Sequence, residues 1–279
     1  MIRGTGGPEV LMLITSPQNP RVKQVVKLRE RRERQRDRRW LVEGQAELAL
    51  ALASGVCPEA VYHCPELSAE APDQGLLAGL SRAGAEVIEV TRPVFEKMAY
   101  REGPDGWLAV VPSLERRLDD LALPATPLLL VAEAVEKPGN LGALLRSADA
   151  AGVDGVIVCD PTTDVGNPNV IRSSKGTLFS VAVVEAPSAD ALAWLRRHKI
   201  MIAAAIPQAQ VIYTQADWRG PVAVVVGTEK EGLSPIWLEA ADMAVRVPMR
   251  GRVNSLNVAT AATLLIYEAV RQRTGQAAG

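Results

Sequence analysis

Continuous apolar runs alternate with helical patterns along the second half of the chain. Leu128–Ala132 is the clearest run, and a helical pattern over about Asn140–Ala151 follows it. Further runs lie at Gly155–Cys159, Val181–Val184, Ile200–Ala205 and Val222–Val226. Strands that are apolar throughout are typical of a parallel sheet covered on both faces. The pattern predicts an α/β domain with a mostly parallel sheet and a ligand site at the carboxyl ends of its strands.

Shorter strands and helices alternate in the first half, which predicts a second, smaller α/β domain. The predicted strands are Trp40–Val42, Ala60–Tyr62, Glu86–Val90 and Trp107–Val111, and the predicted helices include Pro20–Arg39 and Gln45–Leu52. At the other end of the chain, a helix predicted over Ser255–Arg271 is apolar on almost every side. Such a helix is expected to be buried.

The proline-containing segment 113–126 is the predicted linker between the two domains. It separates an N-terminal domain at residues 14–112 from a C-terminal domain at residues 127–279. Residues 1–13 contain three glycines and a proline within a short stretch and are expected to be disordered.

Positive charge is concentrated near the start of the chain. Between Arg21 and Arg39 there are ten Lys or Arg residues and three Asp or Glu residues, a local net charge of +7. The whole chain has a net charge of −1, so the remainder carries −8. A basic arm on an acidic body predicts a polyanionic partner. A solvated helix face is the alternative interpretation.

Composition argues against metal, disulfide and membrane roles. The three cysteines, Cys57, Cys64 and Cys159, are widely spaced, and the two histidines do not complete a zinc ligand set. We therefore expect no metal. No apolar run reaches the roughly 18–20 residues of a membrane span, and no signal peptide is visible. The expected location is the cytoplasm, without a membrane partner.

The loop after the first buried strand carries two candidate residues. Asn140 is a plausible helix N-cap, and Arg146 lies six residues further along in an otherwise apolar stretch. An arginine there needs an anion or a hydrogen-bond network. A salt bridge to Asp149 or to another surface is the alternative.

Two further loops follow predicted strands. In the run 227–234, Gly227 starts a tight turn whose backbone groups suit an adenosine or methionine moiety, although a plain surface turn has the same pattern. In the run 245–257, Ser255 is the expected helix cap, and Asn257 needs partners or serves in capping. No G-x-G-x-x-G follows a strand, which argues against a Rossmann-type site.

Together these loops resemble the three motifs of the SpoU (TrmH-type) family of SPOUT RNA ribose methyltransferases. The matching segments are PGNLGALLRSADAAG, GTEKEGLS and VPMRGRVNSLNVATAATLLIYE, within about residues 127–272. The run NPNVIRSSKGTLFSVAV resembles the family segment between the first two motifs. The N-terminal ITSPQNPRVKQVVKL and WLVEG are similar to that family's accessory RNA-binding domain of ribosomal-protein type.

The resemblance implies a C-terminal domain with a deep trefoil knot, one of the rare exceptions to unknotted topology. It also implies a homodimer in which both subunits form each site. The cofactor would be S-adenosylmethionine, bound by Gly227, Val247, Met249 and Leu256. The polar active site would consist of Asn140, Arg146, Glu229, Ser255 and Asn257.

The expected reaction is methyl transfer to a ribose 2′-hydroxyl of a structured RNA, with 23S ribosomal RNA ahead of transfer RNA. Arg146 would clamp the adjoining phosphate, because arginine stays protonated at neutral pH. Ser255 and Asn257 would hold the ribose, and Glu229 would order Arg146 or its own loop. A non-catalytic RNA-binding protein with the same knot is the rival interpretation. A small-molecule enzyme would leave the basic helix unexplained.

Overall fold

The computed structural model describes residues 10–68 and 74–275. The chain divides into two compact units. The first unit contains the chain up to Leu114 and a later segment, Gly166–Ser180, which we call the crossing segment. The second unit contains Glu115–Val165 and the chain from Val181 onward. The sequence pattern predicts a single boundary, whereas the structure has the chain return to the first unit once.

The first unit is built on a five-stranded mixed sheet. Its strands are β1 (Val10–Ile14), β2 (Arg39–Glu43), β3 (Ala60–His63), β4 (Glu86–Val90) and β5 (Trp107–Pro112). They are ordered β1-β4-β3-β5-β2; the first three are parallel and β5 is antiparallel to both neighbours. The helices before the second unit are α1 (Pro20–Lys27), α2 (Arg31–Asp37), α3 (Gln45–Ala53), α4 (Gln74–Ala83) and α5 (Arg92–Met98). All four predicted strands are confirmed.

The predicted continuous helix over Pro20–Arg39 is wrong, because the chain breaks between α1 and α2. Arg34 of α2 is buried, and its Nη1 donates to the carbonyl oxygens of Leu28, at 3.1 Å, and Arg29, at 2.5 Å. Carbonyls at a helix C-terminus lack partners within the helix. The buried guanidinium supplies hydrogen bonds to these carbonyls. Arg34 therefore stabilises the fold, although the sequence pattern of this helix showed only polar residues around it.

The expectation of a disordered N-terminus is wrong for residues 10–13, which belong to β1. This strand pairs in parallel with β4, from Val10 opposite Val87 to Ile14 opposite Val90. Ile14 is buried in the core of the first unit. Backbone pairing to a strand far along the chain thus orders a segment whose composition had predicted disorder. The rest of the predicted disordered stretch, residues 1–9, lies outside the described residues.

The second unit is built on a seven-stranded sheet in which every pairing is parallel. Its strands are β6 (Leu128–Glu133), β7 (Gly155–Cys159), β8 (Val183–Ala186), β9 (Met201–Ala205), β10 (Val211–Ile212), β11 (Val222–Val226) and β12 (Met243–Arg246). Their order is β10-β12-β9-β11-β6-β7-β8. All residues of β6, β7 and β11 are buried, as their continuous apolar runs predict.

Helices cover both faces of this sheet. The remaining helices are α6 (Pro138–Ala151), α7 (Pro168–Ser173), α8 (Thr177–Ser180), α9 (Ser188–Arg197), α10 (Pro235–Ala240) and α11 (Val258–Thr274), of which α7 and α8 lie in the crossing segment. Trp194 of α9 and Trp237 of α10 are buried in one core. Helices α6 and α11 pack against each other, and the Ser147 and Thr263 hydroxyls are hydrogen-bonded at 2.6 Å.

The predicted linker is largely packed onto the second unit. Leu121 is buried in that unit's core, and the Asp119 carboxylate accepts a hydrogen bond from the Trp194 Nε1 at 2.9 Å. The Arg116 guanidinium donates to the Val181 carbonyl at 3.1 Å. The chain from Glu115 onward is therefore part of a folded unit, because its few apolar and charged side chains have long-range partners.

Candidate functional site

Two of the three candidate loops emerge side by side at the carboxyl edge of the sheet in the second unit. Strands β6 and β11 are neighbours, and Ala132 lies opposite Val226 near their ends. The third loop follows β12, which is separated from β11 by β9. Parallel strands present all their carboxyl ends at one edge, so this topology brings residues from distant parts of the chain together.

The first loop enters α6 through Lys137, which occupies the N-cap position, with Pro138 as the first helical residue. Proline suits this position because its missing N–H would have no partner there. Asn140 lies inside the first turn, so the prediction that it caps the helix is wrong. Its side chain is instead available for contacts with the second loop.

The second loop is a tight turn that begins at the buried Gly227. A Cβ at this position would collide with the Gly232 carbonyl group, so only glycine fits without a shift of the loop. Thr228 and Gly232 exchange backbone hydrogen bonds of 3.0 and 3.2 Å. The buried Glu133 at the end of β6 accepts from the Ser234 amide at 2.9 Å and from its hydroxyl. These contacts hold the second loop beside the first.

Asn257 joins the third loop to α11 and is the N-cap of that helix. Its Oδ1 accepts from the Ala259 amide at 3.0 Å, while its Nδ2 points away from the helix. The prediction that Ser255 caps this helix is therefore wrong; Ser255 is exposed, two residues before the cap. The Oδ1 of Asn257 thus caps the helix, as the capping interpretation states, while its Nδ2 is directed to the other site residues.

Three of the predicted polar residues meet around one carboxylate. The Glu229 Oε1 accepts from Asn140 Nδ2 at 3.1 Å and from Asn257 Nδ2 at 2.9 Å. Asn257 Nδ2 also donates to Asn140 Oδ1 at 2.9 Å. We call these residues, together with Lys137, the carboxylate cluster. All three loop regions contribute to it, although its members are up to 120 positions apart (Lys137 to Asn257).

Lys137 completes the cluster and is the site residue that sequence reasoning missed. Its Nζ donates to the Glu229 Oε2 at 2.7 Å. This ion pair is the main cause that lowers the pKa of Glu229, and it also raises the pKa of Lys137. The available signal was a cation immediately before the proline of the first motif, in the loop that follows a buried strand. The cluster holds Glu229 as an anion across the neutral pH range.

Arg146 stands apart from the carboxylate cluster. Its guanidinium is exposed on α6 and makes neither a hydrogen bond nor an ion pair with any described residue. The alternative salt bridge to Asp149 is thus not formed, and Glu229 does not order Arg146 within this chain. Ser255 is likewise exposed and has no hydrogen bond within the described part of the chain.

The third loop offers unused backbone groups and apolar surface. No backbone N–H of residues 247–256 donates a hydrogen bond to another described residue. Val247, Met249 and Leu256 are half-buried at this loop. Beside it, a cavity between the first two loops is lined by Gly227, Glu229 and the apolar Val258, among others. Free backbone donors and acceptors with apolar walls are the features that small-ligand sites combine.

The basic segment 21–39 spends much of its charge on the first unit itself. Seven of its arginines are engaged: Arg31 and Arg38 have partners, Arg21 pairs with Glu86, Arg29 with the carbonyls of Lys97 and Ala99, Arg34 with Leu28 and Arg29, Arg36 with Glu33 and Asp37, and Arg39 with Glu59. The side chains of Lys23, Lys27 and Arg32 donate no hydrogen bond to a described residue. Fewer cations of this segment are therefore left to bind another molecule than its ten Lys and Arg residues suggest.

Within the described residues, no helix combines the length and apolar character needed to cross a bilayer. The same part of the chain holds no group of three or more His, Cys, Asp or Glu side chains arranged to bind a metal ion.

Comparison with known proteins matches both units. The model of the SpoU rRNA Methylase family matches residues 127–267, and the MRM3-like substrate binding domain matches residues 19–109. An uncharacterised tRNA/rRNA methyltransferase of Synechocystis is 33% identical over 93% of this chain and 94% of its own. The 23S rRNA (guanosine(2553)-2′-O)-methyltransferase of Bacillus subtilis is 30% identical over 91% of this chain and 97% of its own.

A similar structure is known with a bound cofactor. The SpoU methyltransferase AviRb of Streptomyces viridochromogenes, in complex with S-adenosylmethionine, superposes with a TM-score of 0.82. It is 31% identical in sequence, and the match covers 92% of this chain and all of that one. The similarity therefore extends over both units and includes the three loops.

Proposed function

The chain belongs to the SpoU rRNA methylase family, and from that premise we propose that it transfers a methyl group from S-adenosylmethionine to a ribose 2′-hydroxyl of 23S ribosomal RNA. The observation that carries this proposal is the carboxylate cluster, in which Asn140, Glu229 and Asn257 of the three motifs converge. The activity named for the Bacillus relative supports the acceptor atom and the RNA. Transfer RNA is the alternative substrate, and a knotted RNA-binding protein without turnover is the alternative function.

S-adenosylmethionine supplies an electrophilic methyl group on a sulfonium, so the chain must align the hydroxyl and assist loss of its proton. Arg146 clamps the phosphate beside the target ribose, because its exposed guanidinium has no partner among the described residues. Arginine remains protonated, so a phosphate oxygen or water takes the proton.

The other polar residues divide into positioning and contact roles. Asn257 is engaged at both ends of its amide, so it positions Glu229 and the start of α11. Ser255 is exposed and is free to hydrogen-bond the ribose. Glu229 stays anionic and fixes the relative placement of the first and third loops.

The residues of the third loop fit the cofactor. Its unused backbone donors and acceptors suit the adenine edge and the amino-acid end, and its half-buried side chains suit the ring face. The residues that we assign to cofactor binding are Val247, Met249 and Leu256 of the third loop, together with Gly227 of the second. The cofactor is S-adenosylmethionine, which the Streptomyces relative binds.

Several finer features belong to the same proposal. They are the trefoil knot, a cytoplasmic location, and a division of labour in which the first unit binds the substrate RNA and the second carries out catalysis. A homodimer is supported by Leu264 and Tyr267, which leave 36% and 44% of their surface exposed on the solvent-facing side of α11. Large apolar side chains grouped on one helix face favour a protein interface.

The deciding experiment treats ribosomal RNA with the protein and labelled cofactor, maps 2′-O-methyl sites, and then repeats the assay with a 2′-deoxy nucleotide at the mapped position. The deoxy RNA should bind within about one hydrogen bond's worth of affinity, roughly 0.5–1.5 kcal/mol, and accept no label. Label on the deoxy nucleotide would show a base acceptor.

The Arg146 variants test the proposed phosphate clamp. Arg146→Ala and Arg146→Lys should both lose roughly 10²- to 10³-fold in the rate of methyl transfer, with cofactor affinity unchanged.

A further inference from the structure

The crossing segment, Gly166–Ser180, is firmly built into the first unit although the family model for the methylase spans it. Val170, Ile171, Leu178 and Phe179 are buried. Helix α7 packs against β2, and α8 packs against α3. A Cβ on Gly176, whose φ is +82°, would lie 3.1 Å from the Glu47 Cα. The segment is therefore a rigid part of the unit that resembles a substrate-binding domain.

The uncharged polar side chains of this segment are largely turned onto its own backbone. Asn167 Oδ1 accepts from the Asn169 amide at 2.9 Å and caps α7. The hydroxyls of Ser173, Ser174 and Thr177 donate to carbonyls of the same segment at 2.6, 2.8 and 2.8 Å. These contacts stabilise the turn but leave it few uncharged groups with which to bind another molecule.

The two charged residues of the segment, unlike its uncharged polar residues, are not turned onto the backbone. Arg172 and Lys175 are its only ionisable side chains, and both are cations. Both are exposed, three positions apart, and neither side chain makes an ion pair or hydrogen bond with a described residue. Lys175 has a φ of +52°, a conformation in which a residue other than glycine carries strain. The packed backbone of the segment thus holds the Cα of Lys175 at the surface, with its ammonium in solvent.

We propose that the crossing segment is part of the RNA-binding surface and that Arg172 and Lys175 contact phosphates of the substrate RNA. This inference rests on the proposed function for the class of partner. The phosphate backbone supplies most of the sequence-independent affinity for nucleic acid, through lysine and arginine. Because seven arginines of the basic segment already have partners within the protein, cations from this distant segment make up part of the binding surface.

The test compares two charge-matched double variants of the full chain. Arg172→Gln with Lys175→Gly removes the proposed contacts, and glycine relaxes the left-handed backbone. Arg82→Gln with Lys199→Gly is the control: Arg82 is an exposed helical arginine of the first unit, and Lys199 is an exposed lysine with a φ of +56°. Both variants lose the same charge and receive the same backbone relief.

Binding of a 23S ribosomal RNA transcript is measured over a range of salt concentrations, with methyl transfer and cofactor affinity in parallel. The crossing-segment variant should bind roughly 5- to 20-fold more weakly and lose about 1.4 from its log–log salt slope, with cofactor affinity unchanged. The control should match the wild-type slope. An unchanged slope in the first variant, while wild type binds and methylates, overturns this inference alone. A wild type that methylates no ribose overturns the proposed function.

Discussion

Two glutamates of this protein, one in each unit, have opposite surroundings and opposite pKa shifts. Glu229 is partly exposed and receives hydrogen bonds from Lys137, Asn140 and Asn257, and its pKa is lowered. Glu43, at the end of β2, is fully buried. Its Oε2 accepts from the Tyr100 amide at 2.9 Å, but its Oε1 has no partner in the described residues. Burial raises the pKa of Glu43 to about 7.

The comparison shows that a carboxylate's charge state follows its partners rather than its residue type. Donors from the first and third loops stabilise the anion of Glu229, whereas Glu43 loses water and has the Tyr100 amide as its strongest donor. Two other buried polar atoms near Glu43, Arg101 Nε and Trp107 Nε1, also have no partner among the described residues. The first unit therefore has buried polar atoms without hydrogen-bond partners, whereas the polar groups of the carboxylate cluster in the second unit are hydrogen-bonded to one another.

Among the variants that test this comparison of the two glutamates, removal of the Glu229 carboxylate should have the largest effect. Glu229→Ala removes the acceptor that the Lys137 ammonium and two side-chain amides share, and within the cluster only the Asn257–Asn140 hydrogen bond then joins the first loop to the third. We expect methyl transfer to fall on the order of 100-fold, since small misplacements of reacting groups cost that much. Glu231→Ala, an exposed neighbour, is the matched control and should retain activity. Equal loss in both variants would mean that the loop itself, not the cluster, is sensitive.

Glu43→Gln should change the pH dependence of stability rather than the chemistry. The pKa of Glu43 is raised, so its contribution to stability is full below about pH 4.5 and is lost as the pH rises through about 7. The free energy of unfolding of wild type should therefore decline over that window by at most about 3 kcal/mol from this group. Glutamine keeps the acceptor for Tyr100 and removes the ionisation. Thermal unfolding at several pH values measures this, and parallel curves for both proteins would contradict it.

Lys137→Gln should have the smallest effect at neutral pH. The variant loses the main cause of the lowered Glu229 pKa but keeps both asparagine donors. Activity should drop less than about 10-fold at neutral pH, where Glu229 stays ionised. As the pH falls, the variant should lose activity earlier than wild type, because the Glu229 pKa returns toward its usual value. The ratio of transfer rates between acidic and neutral pH checks this, and Lys230→Gln serves as the control.

The sequence by itself determined most of the strands, the parallel sheet of the second unit and the motif residues of this protein. Apolar runs such as Leu128–Ala132 and Val222–Val226 predict buried parallel strands because a strand covered on both faces has no polar side. Glycine, asparagine and glutamate at the strand ends indicated the site loops. These features depend on residues close together in the chain, and local patterns report them directly.

Only the tertiary structure decided which distant groups meet. It joined Lys137 to Glu229, joined Asn257 to both Asn140 and Glu229, and assigned the crossing segment to the first unit. Each outcome depends on a hydrogen bond or packing contact that no local pattern encodes. The physical reason is that a polar side chain takes whichever partner the fold brings within about 3 Å, and that choice is made only when the strands are paired.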